Sequence, residues 1–484
     1  MNDRNRAIWT FLITSLAVFM VSLDNLVVLT ALPVIKAALG ASLAQLEWTV
    51  NAYTLTFAVL LITGAALGDR FGRMRVFIAG LIIFTIGSAA SALAPTGDAL
   101  VVARAIQGLG AAIVMPLTLT LLSAAVSPER RGMALGAWGA VSGLAIALGP
   151  LVGGAIVEGL SWQWIFWLNV PIGVLVVSLA PRFLVESRGP VIRLDLPGLG
   201  LASGGLLALV WALIRGNEEG WTSAGILGAF VAAGVLLVAF VAWEARTASP
   251  MLPLRFFRTR GFSTANGVSM LMSFGLFGSI FLLAQFFQIV QGYSPFEAGL
   301  RTLPWTGMPI IVAPIAGVLS DRIGSRPLLV AGMGLMAAGL AWMAAVTTTT
   351  AEYLLFVPAF VLAGVGMSLL FAPTANLVLS SVSPEEEGLA SGANNTIREI
   401  GGVFGVAVLA SVFSATGGDT SSQAFVDGLV PAIWVGAAVV AVGALVALAI
   451  PARRRIGSVA LELPAVTPWF GDPRFVPEPA RIDR

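Results

Sequence analysis

From residue 8 to residue 450 the chain alternates long apolar runs with short polar breaks. A helix needs about 20 apolar residues to cross a bilayer core. Runs of that length fall at 8–33, 46–68, 75–95, 98–124, 133–157, 162–183, 197–215, 221–243, 262–290, 299–320, 327–346, 353–379, 388–413 and 430–450. They predict an all-helical membrane protein with fourteen spans. One polar break is unlike the rest. Between the second and third runs, Thr63–Val76 reads TGAALGDRFGRMRV, a knot of Gly, Asp and Arg in an otherwise apolar stretch. A second copy, GVLSDRIGSR from Gly317 to Arg326, separates the tenth and eleventh runs. Asp69-Arg70-x-Gly72 aligns with Asp321-Arg322-x-Gly324, 252 residues later. Two copies of one cationic hairpin, each between membrane-length runs, imply a duplicated membrane protein.

The offset of 252 residues exceeds what six spans need, and the runs 197–215 and 221–243 fill the excess. Few polar residues interrupt their middles, so they read as linker helices at the edge of the bundle. The expected organisation is a six-helix bundle over 1–183, two linker spans with their loops over 184–260, and a second six-helix bundle over 261–450. Residues 451–484 carry five prolines after Ala460 and no apolar run, the composition of a disordered cytoplasmic tail.

Composition sharpens this. The chain of 484 residues is 57% apolar and 11% charged, with mean hydropathy +0.92. A soluble domain carries roughly 25% charge, so a water-soluble protein is excluded. There is no Cys and no His. Disulfides and thiolate metal sites are therefore absent, and any proton relay has to use carboxylates. The chain has no Walker-type GxxxxGK[ST] and no reactive cluster, which points away from ATP-driven transport and from an enzyme, and no cofactor is expected. The net charge of +2 is spread over short loops, which excludes a nucleic-acid surface. The basic residues are 26 Arg and one Lys, Lys36, a skew that suits a GC-rich bacterium. With the N-terminus inside, 22 basic residues fall on the cytoplasmic side and three (Lys36, Arg215 and Arg301) outside. By the positive-inside rule the protein is then a multi-pass protein of the cell membrane, with both termini cytoplasmic. Ile8 to Pro33 is too long for the apolar core of a signal peptide, and no cleavage site follows.

Several stretches, in order and on matching membrane sides, resemble the fourteen-span drug:proton antiporters of the major facilitator superfamily. They are LDNLVVLTALP (Leu23–Pro33), the loop after the second run, RAIQGLGAA (Arg104–Ala112) in the fourth, and WQWIFWLNVPIG (Trp162–Gly173) opening the sixth. In the fifth, Gly136, Ala145, Gly149, Pro150, Gly153 and Gly154 match the motif associated with antiport. Two positions depart from the family: Ala65 and Ala145 stand where Gly is usual. The resemblance covers about Ile8 to Ile450. It implies the major facilitator fold, two six-helix bundles plus two linker helices, whose halves rock around a central cavity. It also implies a latch role for Asp69, Arg70 and Arg73, with Gly72 at the turn, and by duplication for Asp321 and Arg322.

The buried charges carry the chemistry. Asp24 lies about 13 Å along the helix from the outer end of the first span. An intramembrane carboxylate costs several kcal/mol unless paired or protonated, so its default reading is functional. Arg104 of the fourth span is the candidate partner, because the implied fold packs these spans together. Asp24 would exchange a proton and a cationic or polar substrate, with Arg104 tuning it; a static ion pair that fixes helix packing is the alternative. Arg398 and Glu399 lie near the middle of the thirteenth span. Adjacent helical residues point roughly 100° apart, so one is expected to face the cavity and the other to pair elsewhere. They form a second candidate proton or substrate site; a structural arginine anchored to backbone carbonyls, with Glu399 as its counter-ion, is the alternative. In the fifth span, Gly136, Gly139, Gly143, Gly149, Gly153 and Gly154 admit close helix approach, and Pro150 bends the helix.

Asp24, Gln107, Asn266, Phe281, Gln285, Gln288, Asn376, Asn394 and Asn395 are the candidate cavity residues. The aromatics Trp48, Tyr53, Phe57, Trp138, Phe274, Phe277, Phe286 and Phe287 could line an apolar site for lipophilic cations. Glu47, Glu158, Glu297 and Glu352 sit near external ends and read as gate or surface charges. The expected function is proton-driven export of lipophilic drugs or antibiotics, often cationic, by alternating access. The expected partners are small molecules, protons and lipids, and the expected working unit is a monomer. Two alternatives stay open: a dedicated exporter of one metabolite (a self-made antibiotic, a siderophore or an amino acid), and a membrane sensor or scaffold that transports nothing.

Overall fold

The structure is a computed structural model that describes residues 3–189, 194–383 and 386–450. The expected tail, 451–484, lies outside the described residues. Among the described residues there are fourteen helices long and apolar enough to cross a membrane, and no strand. In chain order they are span 1 (Asn5–Leu39), span 2 (Leu43–Phe71), span 3 (Arg73–Ala92), span 4 (Gly97–Ala125), span 5 (Gly136–Gly159), span 6 (Trp164–Phe183), span 7 (Leu196–Glu219) and span 8 (Ala224–Glu244). Span 9 (Arg260–Ile289), span 10 (Pro295–Ser320), span 11 (Ser325–Val346), span 12 (Tyr353–Leu379), span 13 (Glu387–Thr416) and span 14 (Ser422–Leu448) complete the set. Helices suit hydrocarbon because they satisfy every backbone donor and acceptor internally.

Polar residues punctuate the spans. Ser42 with Gln45 and Ser294 with Glu297 form capping boxes at the starts of spans 2 and 10. Gly72 and Gly324 end spans 2 and 10 with φ of 109° and 84°, a region that only glycine enters without strain. The duplicated hairpin therefore repeats as backbone geometry.

Several boundaries differ from the sequence reading. Span 1 runs through Pro33 to Leu39, carrying Ile35 into the core. Span 10 starts at Pro295 and is interrupted at Gly307, where Pro309 cannot donate to the preceding turn. Span 14 starts at Ser422, eight residues before the expected 430, because the Ser421 hydroxyl caps it by accepting from the Ala424 amide.

The first six spans and the last six repeat one packing scheme. Span 1 packs on spans 4, 5 and 6, span 2 on span 4, and span 3 on spans 4 and 6. Adding eight to each number gives the second set: span 9 on 12, 13 and 14, span 10 on 12, and span 11 on 12 and 14. The two bundles meet along two seams, span 2 against span 13 and span 5 against span 10, with span 1 touching span 9 between them. Span 7 leans on the seam of spans 2 and 13, where Leu206, Val210 and Ile214 share an apolar cluster with Leu55, Val59, Val403 and Ala407. Span 8 packs on span 7 and turns Val231, Val235 and Val238 outward.

The hairpins after spans 2 and 10 mark one end as arginine-rich; the opposite end is called here the far end. The cores differ between the two. Toward the far end, one apolar cluster runs through both bundles, from Leu26, Val27 and Ile35 of span 1 to Phe286, Phe356 and Phe425. Toward the arginine-rich end, the first bundle keeps a separate core around Phe77, Phe84 and Leu117.

Candidate functional site

Asp24 sits in the middle of span 1 and is 2% exposed. Three donors converge on it. Arg104 Nη1 of span 4 donates to Oδ2 at 2.5 Å. Gln107 Nε2 of the same span and Asn169 Nδ2 of span 6 donate to Oδ1 at 2.9 Å and 2.7 Å. Arg104 Nη1 also donates to Gln107 Oε1 at 2.7 Å, and its Nε donates to the Thr49 carbonyl at 3.3 Å. The guanidinium lies 4.1 Å from the centre of the Tyr53 ring and 5.7 Å from that of Phe166. Asn169 donates in addition to Ser88 Oγ, which donates onward to the Phe166 carbonyl. Five spans, 1, 2, 3, 4 and 6, thus meet in one sealed polar cluster inside the first bundle. Asn169 and Ser88 are not among the sequence candidates; the signal for Asn169 was its place in the stretch Trp162–Gly173.

Arg398 faces a cavity and Glu399 does not, as expected, but the two pair with each other rather than elsewhere. Arg398 Nη2 donates to Glu399 Oε1 at 3.1 Å, because the long arginine stem folds back across the 100° between neighbours. Arg398 borders a cavity of about 120 Å³ between spans 9, 12 and 13, with Ser269, Thr374, Ser391, Asn394 and Asn395. Glu399 is turned away from it, 5% exposed, with Oε2 buried and unpartnered. Asn394 Nδ2 donates to Asn266 Oδ1 and Ser269 Oγ at 3.1 Å and 3.0 Å.

The other candidate cavity residues are placed differently. Asn266 and Gln285 are buried and donate to carbonyls of their own helix. Phe281 is wholly buried in the core, and Phe286 and Phe287 pack with Phe356 rather than against open space. Asn376 is exposed and stands off the cavity that Thr374 and Ala375 line. Gln288 Nε2 crosses between bundles to the Thr30 carbonyl at 2.8 Å.

In the hairpin after span 2, Arg73 Nε donates to Asp69 Oδ1 at 2.8 Å. Arg70 stays out of this pair and lies over the Phe71 ring. A residue the sequence did not single out completes the loop: the Glu186 carboxylate accepts from the amides of Met74 and Arg75 at 3.0 Å and 3.2 Å, capping span 3. In the second copy Ser320 Oγ lies 3.2 Å from Ser325 Oγ and Arg322 is exposed. The side chain of Asp321 lies outside what the structure describes. Between the hairpin and span 13 a crevice of about 450 Å³ opens, bordered by Arg73, Ser123 and Glu387.

Span 5 divides into two halves. A Cβ on Gly149 would lie 2.6 Å from Leu26 Cβ, and one on Gly153 2.8 Å from the Val27 carbonyl oxygen. One on Gly154 would lie 2.7 Å from Phe296 Cα of span 10, and one on Gly299 of span 10 2.8 Å from the Pro150 carbonyl carbon. At Gly136, Gly139 and Gly143 it would meet nothing within 4 Å. Close approach is thus confined to the far half. At the far end Glu158 Oε2 accepts from the Phe296 amide at 3.2 Å and Lys36 pairs with Asp419, and nearer the middle of the spans Thr306 Oγ1 donates to the Ala147 carbonyl at 3.3 Å. Glu297 serves in the capping box. Glu47 is not a surface charge: it is 3% exposed, one helical turn from the fully buried Asn51.

Comparisons with known proteins agree with this architecture. The Major Facilitator Superfamily model matches residues 14–406 and 283–471. The chain is 35% identical over 434 residues to the tetracenomycin C resistance and export protein of Streptomyces glaucescens, covering 89% of this chain and 80% of that protein. It is 36% identical over 408 residues to the multidrug resistance protein Stp of Mycobacterium tuberculosis, covering 84% and 76%. Among solved structures, a bacterial homologue of the human lysosomal transporter Spinster aligns with a TM-score of 0.65 at 17% identity, over 92% of this chain and 96% of that one.

Proposed function

The chain belongs to the Major Facilitator Superfamily, and on that premise we propose that it is an efflux pump for lipophilic drugs or antibiotics, driven by inward protons. The kinship to resistance and export proteins supports export. The arginine-rich end is taken as cytoplasmic, which makes the structure the state that loads substrate from inside: closed at the far end, parted at the arginine-rich end. Residues 1–183 and 261–450 are the rocking halves, and 184–260 links them. The hairpin Asp69–Arg75 is the latch. In this state Arg73 is satisfied by Asp69 within its own bundle, and Glu387 waits across the crevice.

One observation carries the proton coupling: a carboxylate, Asp24, 2% exposed and held by an arginine and two amides. All three partners are donors, which suits the anion. Arrival of a proton removes the charge that Arg104 answers, and the guanidinium is then left buried without its counter-ion. Such a cation costs several kcal/mol, enough to favour a rearrangement of spans 1, 4 and 6. A proton moving inward gains about 2.3 kcal/mol per 100 mV and about 1.4 kcal/mol per pH unit. With 100 mV and one pH unit, that sustains roughly two to three decades of substrate gradient.

The test uses proteoliposomes with an imposed pH gradient and a fluorescent lipophilic probe. Wild type should accumulate the probe, and Asp24→Asn, if folded, should lose the gradient-driven component. Full gradient-driven transport by Asp24→Asn would sink the proton role and leave the cluster as a packing device. The dedicated-exporter reading is kept because one relative is described by a single antibiotic.

A further inference from the structure

The cavity beside Arg398 has a charge character that does not match a cation pump. Arg398 is its only ionisable lining residue among the described residues. Among the described residues its one hydrogen bond goes to Glu399, and guanidinium carries five N–H donors. Its side chain is 28% exposed, and none of its nitrogens is buried without a partner. Its ion-pair partner Glu399, 3.1 Å away, is not among the residues that line the cavity, so the guanidinium's remaining donors are what the cavity presents. Asp24, the other buried carboxylate of the proposed pathway, is spent on Arg104 in the other bundle. Around Arg398 stand neutral hydrogen-bonding groups, with Met272, Leu370 and Phe371 completing the wall.

From this we propose that the cavity is a subsite for the acidic end of a lipophilic organic anion: an aromatic carboxylate or an ionised phenol. The proposal rests on the efflux reading and deepens it, replacing the expected preference for cations. Arg398 supplies a planar fork that matches a carboxylate geometrically. Asn395 and Thr374 offer further donors beside it. The cavity volume is about 120 Å³. A drug-sized ligand needs about 300–1,000 Å³. The subsite therefore seats one functional group, and the apolar body of the molecule remains in the space between the bundles.

The experiment measures equilibrium binding to the purified full chain in detergent, without any gradient, by fluorescence of 6-hydroxy-2-naphthoate, its methyl ester and ethidium. Wild type should bind the naphthoate at least tenfold more tightly than its ester and more tightly than ethidium. Arg398→Gln should weaken the naphthoate roughly 10- to 100-fold, the range for one charge-assisted contact, and leave the ester unchanged. Arg398→Lys should restore part of the loss. Should Arg398→Gln fail to fold, Thr374→Val and Asn395→Leu each should weaken the naphthoate more than the ester. Equal affinity for acid and ester, tighter binding of ethidium, or a naphthoate affinity indifferent to these variants overturns the subsite. Failure of the efflux reading is separate: binding would discriminate as described while no probe moved in proteoliposomes under a gradient.

Discussion

Gly154→Ala should tip the balance between the two ends of the transporter. In the present state span 5 touches span 10 at this point, and an added Cβ would stand 2.7 Å from Phe296 Cα and Pro295 C. Both are backbone atoms of a helix, so neither can move aside without moving span 10. Overpacking of this kind costs about 1–3 kcal/mol. The cost falls on the state closed at the far end and is relieved when spans 5 and 10 part there. The ratio of the two states should then change roughly 5- to 150-fold. The chain has no cysteine, so a labelled pair introduced as Ser123→Cys and Gly388→Cys reports cleanly across the crevice at the arginine-rich end. Electron–electron resonance distances between the labels should shorten in Gly154→Ala as that end closes. Gly139→Ala is the control: its Cβ meets nothing within 4 Å here, so it should not destabilise the present state. An unchanged or longer distance distribution in Gly154→Ala would refute the argument that this contact holds the far end shut.

Two further outcomes follow from the buried network and its neighbour. Arg104→Met should destabilise the protein by roughly 3–5 kcal/mol by stranding Asp24, whereas the double variant with Asp24→Leu should recover at least half of that, read as melting temperatures of the four proteins in detergent; purely additive losses would mean the pair is not coupled. Glu186→Gln should cost about 1 kcal/mol and speed amide hydrogen exchange at Met74 and Arg75, which Glu186 now caps; unchanged exchange there would discount the cap.

The pairing of Asp24 with Arg104 was legible in the sequence because charges inside apolar runs are rare and must answer one another. The amides that finish the cluster were not. Asn169 lies 145 residues from Asp24, and nothing local distinguishes an asparagine that reaches a carboxylate from one that caps a turn. Glu47 misled for a related reason: its place near a span end suggested exposure, and only tertiary packing buries it. The start of span 14 was hidden by Gly417, Gly418 and a run of Ser and Thr that reads as loop until Ser421 is seen to cap. Arg398 and Glu399 were located from sequence, yet a rule about directions on a helix says little about where a flexible stem will carry its head group.

The covering of one seam by span 7 has a consequence for traffic through the bilayer. Duplication gives the two halves a near-symmetric pair of slots facing lipid, but the slot between spans 2 and 13 is lined along spans 2, 7 and 13 by one apolar cluster, and Asn217 of span 7 is fastened to Ser411 of span 13. A greasy molecule dissolved in the membrane therefore meets two unlike flanks: a boarded one, and one where spans 5 and 10 themselves form the outer wall. The extra pair of helices breaks the symmetry that the doubled gene supplied, and leaves the protein with a front and a back in the plane of the membrane.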